Sequence, residues 1–368
     1  MIRIGLEATS ICRANRSGIK HYTANFIDSF LASETFKETY SLKLLYKLSR
    51  CKRRKFRYRV EEGLSQWYYP HVIPLRNRFD LVHCLDKHPI PWKNCKRITT
   101  IYDLAVLKRE HEGDWYASER FRQNTRKKTM KTLDCSDAII TLSESTKNDL
   151  LDFSDFPEDN IHVIPSGIHT SFLDFIPDEK TSDDILARYD LTRNGYFLFV
   201  GGITLRKNVS NLIQAYARSD TADSIELALA GLFSGQTDDI METVDRLKLG
   251  ERVKFLRYVS DAELPHLYTN ARAFLFPTYY EGFGIPVLEA MACRTPVLVG
   301  NRGAAPEVAG GHAVTVDPFE IDDIASGIQR VLETTPESVL AAIQHASRFT
   351  WAASAARTVS LYKEVLNG

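Results

Sequence analysis

Short apolar or β-branched runs alternate along the chain with longer stretches whose apolar residues recur every three or four positions, the pattern of parallel sheets wrapped by helices. In the first half, Ile2–Glu7, Ser41–Tyr46, Asp80–Cys84, Arg97–Tyr102 and Ala138–Leu142 read as strands, and helices follow Gly18 and Ser145, the latter serine reading as an N-cap. The stretch Ile161–Ile168 reads as a last strand running into a turn, and Pro177–Asp184 (PDEKTSDD) has the composition of a linker. A second series then begins, with strands at Tyr196–Val200, Glu226–Ala230, Val253–Leu256, Ala273–Phe276, Val297–Val299 and Ala313–Val316, a helix over Val209–Arg218 and another starting at Pro286. The expected fold class is therefore α/β, with one domain over residues 1–172, a second over 173–348 and a terminal helical segment over 349–368. Repeating the unit implies a cleft between the copies, and in open α/β sheets chemistry is sought in the loops at the carboxyl ends of strands.

The bulk properties support two cores and add few constraints. At 368 residues the chain is longer than one hydrophobic core usually supports. With 44% hydrophobic and 26% charged residues it is a globular composition. Lys plus Arg equals Asp plus Glu, 47 against 47, so no global field draws the molecule to nucleic acid or anionic lipid, and any such attraction is local. The start MIRIGLEATS lacks the apolar core of a signal peptide, and no stretch approaches the roughly 20 apolar residues that span a bilayer. The cysteines are scattered without CxxC pairing, which suits reduced thiols in a cytoplasmic protein. His83, His88 and His111 read as surface or structural residues.

The most informative segment is Phe276–Met291, FPTYYEGFGIPVLEAM. A buried strand ends at Pro277, a glycine-bearing loop follows, and Pro286 stands in the first turn of a helix. The backbone over Gly282, Phe283, Gly284 and Ile285 would offer N–H groups and the positive end of a helix dipole to a phosphate. Glu281 and Glu289 flank that seat, and carboxylates accept hydrogen bonds from hydroxyls, so a ligand with hydroxylated rings on either side of a diphosphate fits. A sugar nucleotide has that shape. The spacing of Glu281 and Glu289 within EGFGIPVLEAMACRTPV resembles the E-x7-E signature of the large retaining GT-B glycosyltransferase family of the family 4, or group 1, type, which includes many bacterial mannosyltransferases.

Other segments resemble the same family in the same order. Gly201, Gly202, Arg206 and Lys207, in GGITLRKNVSNLIQAY after a strand, resemble its donor-phosphate segment, and Arg16–Ser17–Gly18–Ile19 its glycine loop over the diphosphate, with Gly18 as the backbone contact. Arg97–Asp103 resembles a strand ending at the cleft in a His-Asp pair; here Tyr102 replaces the His, and Asp103 would bind or deprotonate an acceptor hydroxyl, or cap the next loop. Phe349–Leu366 resembles the closing helix that crosses back to the N-terminal domain. The resemblance implies two Rossmann-like domains facing a central cleft, the first binding acceptor and the second the nucleotide sugar. It implies catalytic roles for Glu281, Asp103, Arg206 and Lys207, and donor contacts from Gly18, Gly202, Arg206, Lys207, Gly282, Phe283, Gly284, Ile285 and Glu289.

No G-x-G-x-x-G follows the first strand and no G-x-x-x-x-G-K-[ST] occurs, which removes dehydrogenase and P-loop readings. There is no Asp-x-Asp at a strand end; the resemblance implies that Arg206, Lys207 and the helix dipole take the place of a metal, that no metal or resident cofactor is needed, and that the nucleotide sugar is a co-substrate. The basic run Lys43–Arg59 (KLLYKLSRCKRRKFRYR) reads as a contact for anionic membrane beside a glycan or lipid-linked acceptor, as a solvated helix face, or as a nucleic-acid patch, the first being preferred. The function that the resemblance implies is transfer of a hexose, mannose or a related sugar from a GDP-sugar, to a glycan or lipid-linked glycan acceptor in bacterial surface polysaccharide assembly. A sugar-nucleotide epimerase and a non-catalytic nucleotide-sugar-binding scaffold are the rivals.

Overall fold

The computed structural model describes residues 1–12, 18–49, 65–69, 79–87, 94–108, 118–233 and 238–368. They fall into two compact units: the first is formed by residues up to Gly167 together with Trp351–Gly368, the second by Ile168–Thr350.

The first unit is a seven-stranded parallel sheet of β1 (Ile2–Glu7), β2 (Tyr40–Lys47), β3 (Ser65–Tyr69), β4 (Leu81–Cys84), β5 (Lys96–Ile101), β6 (Ala138–Thr141) and β7 (Ile161–Val163), in the order β3-β2-β1-β4-β5-β6-β7. Both β4 and β6 are buried at every position, as strands covered on two faces must be, and this is why they are mostly apolar, with His83 and Thr141 buried among the apolar residues. The helices are α1 (Gly18–Leu31), α2 (Glu34–Thr39), α3 (Glu119–Leu133) and α4 (Glu144–Phe153), and the C-terminal helix, Trp351–Asn367, packs in this unit. It is held by Trp351 edge-on to Tyr22 at 5.1 Å and by Tyr362, whose hydroxyl lies 2.7 Å from His83 Nδ1. The other nitrogen of His83 meets Thr100 Oγ1 at 2.8 Å, and burial pushes the imidazole down to about 3, so it is a neutral core residue.

Three readings of the first half need correction. Helix α4 is capped by Ser143, whose side chain accepts from Thr146 N at 3.1 Å, and Ser145 lies inside the first turn; the serine at the point where the backbone is still extended is the one that can reach back to the helix N–H groups. Strand β3 and helix α3 were not expected. The basic run Lys43–Arg59 is no continuous helix face, because Lys43–Lys47 belongs to β2, where Lys47 is buried; residues 50–59 lie outside the described residues, as do Arg16, Ser17, His88 and His111.

The second unit opens with α5 (Thr170–Leu173) and α6 (Glu179–Arg188). Here Pro177–Asp184 is no linker: Asp178 accepts from Thr181 N at 2.8 Å and starts α6, whose Ile185 and Leu186 are buried. The polar residues that suggest a linker are what a helix N-terminus recruits to satisfy its N–H groups and dipole. The six-stranded parallel sheet contains β8 (Tyr196–Val200), β9 (Glu226–Ala230), β10 (Val253–Arg257), β11 (Ala273–Phe276), β12 (Val297–Gly300) and β13 (Val314–Val316), in the order β10-β9-β8-β11-β12-β13. Around it lie α7 (Val209–Arg218), α8 (Asp238–Arg246), α9 (Leu264–Asn270), α10 (Ile285–Ala292), α11 (Ala305–Ala309), α12 (Ile321–Leu332) and α13 (Pro336–Ala346). The strand order reverses between β8 and β11, so the loops leaving their carboxyl ends stand side by side at the switch point where open α/β sheets bind ligands.

Candidate functional site

At that switch point in the second unit, the loop after β8 ends in a single turn, Leu205–Lys207, closed by Asn208 in the left-handed region (φ 58°), which also begins α7. Asn208 is almost wholly buried, and its Nδ2 donates to Pro277 O at 2.9 Å and Pro318 O at 2.6 Å. Asparagine suits the post because it tolerates this backbone and its amide satisfies two buried carbonyls at once. These bonds, with Tyr279 N donating to Arg206 O at 3.2 Å, lock the turn to the loop after β11.

The turn thereby directs two cations onto one carboxylate. Arg206 Nη1 donates to Glu281 Oε1 at 3.0 Å and to Tyr280 O at 2.6 Å; Lys207 Nζ reaches the same Oε1 at 2.7 Å and lies 4.6 Å from the centroid of the Phe276 ring. Glu281 is only 8% exposed. Burial alone would raise its pKa, but the charges of Arg206 and Lys207 and their hydrogen bonds outweigh that and hold it below the ordinary value. The backbone of Glu281 is fixed by Ala304 N, which donates to its carbonyl at 2.8 Å. Gly303, at φ 63°, passes so close that a Cβ there would lie 2.7 Å from that carbonyl oxygen.

Helix α10 starts beside this triad. Gly284, at φ 100°, is its N-cap and Pro286 occupies its first turn. Gly282 is buried and Ile285 half-buried. Phe283 is buried with its ring 6.1 Å from that of Phe349, so its side chain is spent on packing. Half-buried Glu289, on the first turns of α10, accepts from Tyr268 Oη at 3.1 Å, and burial raises its carboxyl to about 7 against the effect of that hydrogen bond. Gly201 and Gly202 lead out of β8, with Gly201 N donating to Ala230 O at 2.9 Å.

The remaining candidates lie in the first unit. Gly18 is the exposed first residue of α1. Tyr102 follows β5, and its hydroxyl donates to Leu85 O at 2.7 Å; burial raises the phenol well above its usual value, so it stays protonated and ties the end of β5 to that of β4. Asp103 is half-buried, and its backbone carbonyl accepts from Lys87 Nζ. Reading the sequence missed a buried polar group at the same sheet edge: Glu7, fully buried, accepts from Thr9 N at 3.3 Å and Tyr69 Oη at 3.4 Å. Burial lifts Glu7 to about 7, with Lys47 acting against the rise and Asp86 adding to it. A glutamate closing an apolar parallel strand was the available signal. Asn208, Gly303 and Tyr268 carried none, because each matters through a partner distant in sequence.

Two parallel-sheet α/β units of this topology have the GT-B fold of glycosyltransferases. The chain matches the family models Glycosyltransferase Family 4 over residues 37–172 and Glycosyl transferases group 1 over residues 184–348. It belongs to this family and is a glycosyltransferase. Among curated relatives, the O-antigen chain mannosyltransferase B of Escherichia coli is 29% identical over 294 residues, covering 78% of this chain and 76% of that one. The MMP alpha-(1->4)-mannosyltransferase of Mycolicibacterium hassiacum is 30% identical over 238 residues, 62% of this chain and 54% of its own length. Of solved structures, a sucrose-phosphate synthase from Thermosynechococcus elongatus superposes with a TM-score of 0.78 at 19% identity over 100% of both chains, and Anabaena HepE in complex with UDP and glucose with 0.75 at 15% over 99% of this chain and 100% of that one.

Proposed function

We propose that the chain transfers a hexosyl unit, mannose or a related sugar, from a GDP-sugar to a glycan or lipid-linked glycan acceptor, with retention of anomeric configuration and without a metal ion, in the assembly of a surface polysaccharide. The observation that carries the reaction class is the convergence of Arg206 and Lys207 on Glu281 beside the start of α10. Mannosyltransferases among the relatives support the choice of sugar.

In this reading the donor diphosphate lies against Arg206, Lys207 and the N–H groups from Gly282 to Ile285. When the glycosidic bond breaks, negative charge grows on the leaving diphosphate, where two cations and a helix N-terminus already point; fixed charge needing no reorganisation is what lowers such a barrier. Glu281 contacts the transferred sugar, Glu289 the ribose, and Gly18 and Gly202 give backbone approach to the phosphates. Asp103 orients or deprotonates the acceptor hydroxyl. Scattered cysteines without CxxC pairing support a cytoplasmic site for the reaction.

The test is transfer from GDP-mannose, with UDP-glucose and a dTDP-sugar as competitors, to a mannosylated lipid-linked acceptor, in the presence of EDTA. An α-linked product from the α-linked GDP-sugar that forms equally well with chelator is the expected result. Isomerised donor without acceptor would replace this reading with an epimerase, and inversion at the anomeric carbon would remove the mechanism.

A further inference from the structure

The carboxyl edge of the first sheet holds two charged residues that the donor site does not use. In the order β3-β2-β1-β4-β5-β6-β7 the direction reverses between β1 and β4, so the end of β1 stands at the switch point of this sheet, a place where open α/β sheets bind ligands. Glu7 is the last residue of β1. Register sets what stands around it: Glu7 pairs with Leu45 of β2 and Cys84 of β4, Lys47 lies two residues beyond Leu45, and Lys47 pairs with Tyr69 of β3. Paired residues of a parallel sheet share a face, as do residues two apart in one strand, so Tyr69, Lys47 and Glu7 point the same way. Leu45, Tyr69, Phe79, Val82 and Cys84 form an apolar cluster on that face, and Glu7 and Lys47 are its polar end.

Neither charged group is satisfied. Glu7 is fully buried; its Oε1 accepts two long hydrogen bonds, from Thr9 N at 3.3 Å and Tyr69 Oη at 3.4 Å, and its Oε2 has no partner among the described residues. Lys47 is 8% exposed, and among the described residues no carboxylate lies within ion-pair distance of its ammonium. Thr9 bridges the two residues through the backbone: its Oγ1 accepts from Lys47 N at 3.0 Å while its own N–H donates to Glu7. Opposite charges buried at one end of one layer ordinarily close an ion pair, because each is costly to bury alone. A buried acceptor and a buried donor that leave each other free suit a third group able to donate to one and accept from the other. Two neighbouring hydroxyls of a sugar do both. A phosphate would satisfy Lys47 and repel the glutamate, and an apolar group would satisfy neither.

We propose that Glu7 and Lys47 are specificity-determining residues for the acceptor, Glu7 Oε2 accepting from one hydroxyl of the terminal acceptor sugar and Lys47 Nζ donating to the neighbouring one. The proposal rests on the glycosyl-transfer reading above and names the part of the acceptor that the first unit recognises.

Saturation-transfer NMR on the full chain with methyl α-mannopyranoside and its monodeoxy analogues, without donor, tests it. The wild type is expected to bind the parent sugar and to lose roughly tenfold in affinity for the two analogues that lack a contacted hydroxyl. Glu7→Gln keeps the side chain's shape and an oxygen for Thr9 and Tyr69. It should lose roughly tenfold for the parent sugar and bind one of those two analogues no worse than the parent, and Lys47→Met should do the same for the other. In steady-state transfer the KM for the acceptor should rise by the same factor in each variant while the KM for the donor stays as in the wild type. A carboxylate serving the fold alone would show as a lower melting temperature of Glu7→Gln with the deoxy-sugar pattern intact. That result, wild-type affinity in both variants, or inorganic phosphate displacing the sugar from the wild type and not from Lys47→Met would each overturn the proposal. Sugar binding that follows the expected pattern in a protein that transfers nothing from GDP-mannose would uphold the subsite and remove only the donor assigned above.

Discussion

At the scale of single residues, the molecule spends two cations on one buried carboxylate, and the proposed donor diphosphate would want the same two cations. Glu281→Gln should therefore lower turnover by at least a hundredfold and yet tighten GDP binding, because the internal competitor is gone. The variant should also lose about 3 kcal/mol of stability, since removing one partner of a buried ion pair leaves uncompensated charge. Thermal shifts would read both: GDP should raise the melting temperature of the variant more than that of the wild type, and an equal or smaller rise would show that Glu281 and the nucleotide do not compete. Glu289 gives a pH dependence. Its carboxyl is raised to about 7 by burial, so the stability tied to its neutral form is complete below the ordinary carboxylate range and is lost as pH rises through about 7. If the ionised form holds the ribose, GDP affinity should climb between pH 6 and 8 by roughly tenfold, and Glu289→Gln should flatten that profile in calorimetric titrations.

At the scale of elements, the site depends on caps and pivots more than on regular structure. Ser143→Ala should cost about 1 kcal/mol in urea denaturation, as expected for the residue that caps α4, while Ser145→Ala should cost less. Asn208→Gly keeps the left-handed backbone but deletes two buried hydrogen bonds, so it should destabilise the second unit by roughly 2 kcal/mol and reduce transfer by freeing the Arg206–Lys207 turn. Helix α3 escaped the hydropathy pattern because its buried face is built from Thr129, Thr132 and Leu133 and has almost no apolar stripe to detect. Strand β3, at the edge of its sheet, escaped because Trp67, Tyr68 and Tyr69 alone make too short a run to stand out as a strand.

For the whole molecule, the chain leaves the first unit after Gly167 and returns to it at Trp351, so the last helix stabilises a sheet built far earlier in sequence. Truncation after Thr350 should uncover Tyr22, Phe30 and His83. Hydrogen exchange should then accelerate in α1 and β4 by at least tenfold and stay unchanged in β8 and β11; uniform acceleration would mean that the helix supports both units.

The central strands of both sheets, helix α7 and the start of α10 at Pro286 were legible in the sequence by itself, because buried parallel strands need apolar runs and a helix start recruits glycine and proline, all short-range requirements. Only the tertiary structure decided that Arg206 and Lys207 converge on one oxygen of Glu281, that Asn208 holds their turn to Pro277 and Pro318, and that Glu7 and Glu289 are raised to about 7. Hydrogen bonds, desolvation and Coulomb forces depend on distance in space, and strand order β10-β9-β8-β11-β12-β13, which sets those distances, is fixed by how whole helices pack across a sheet.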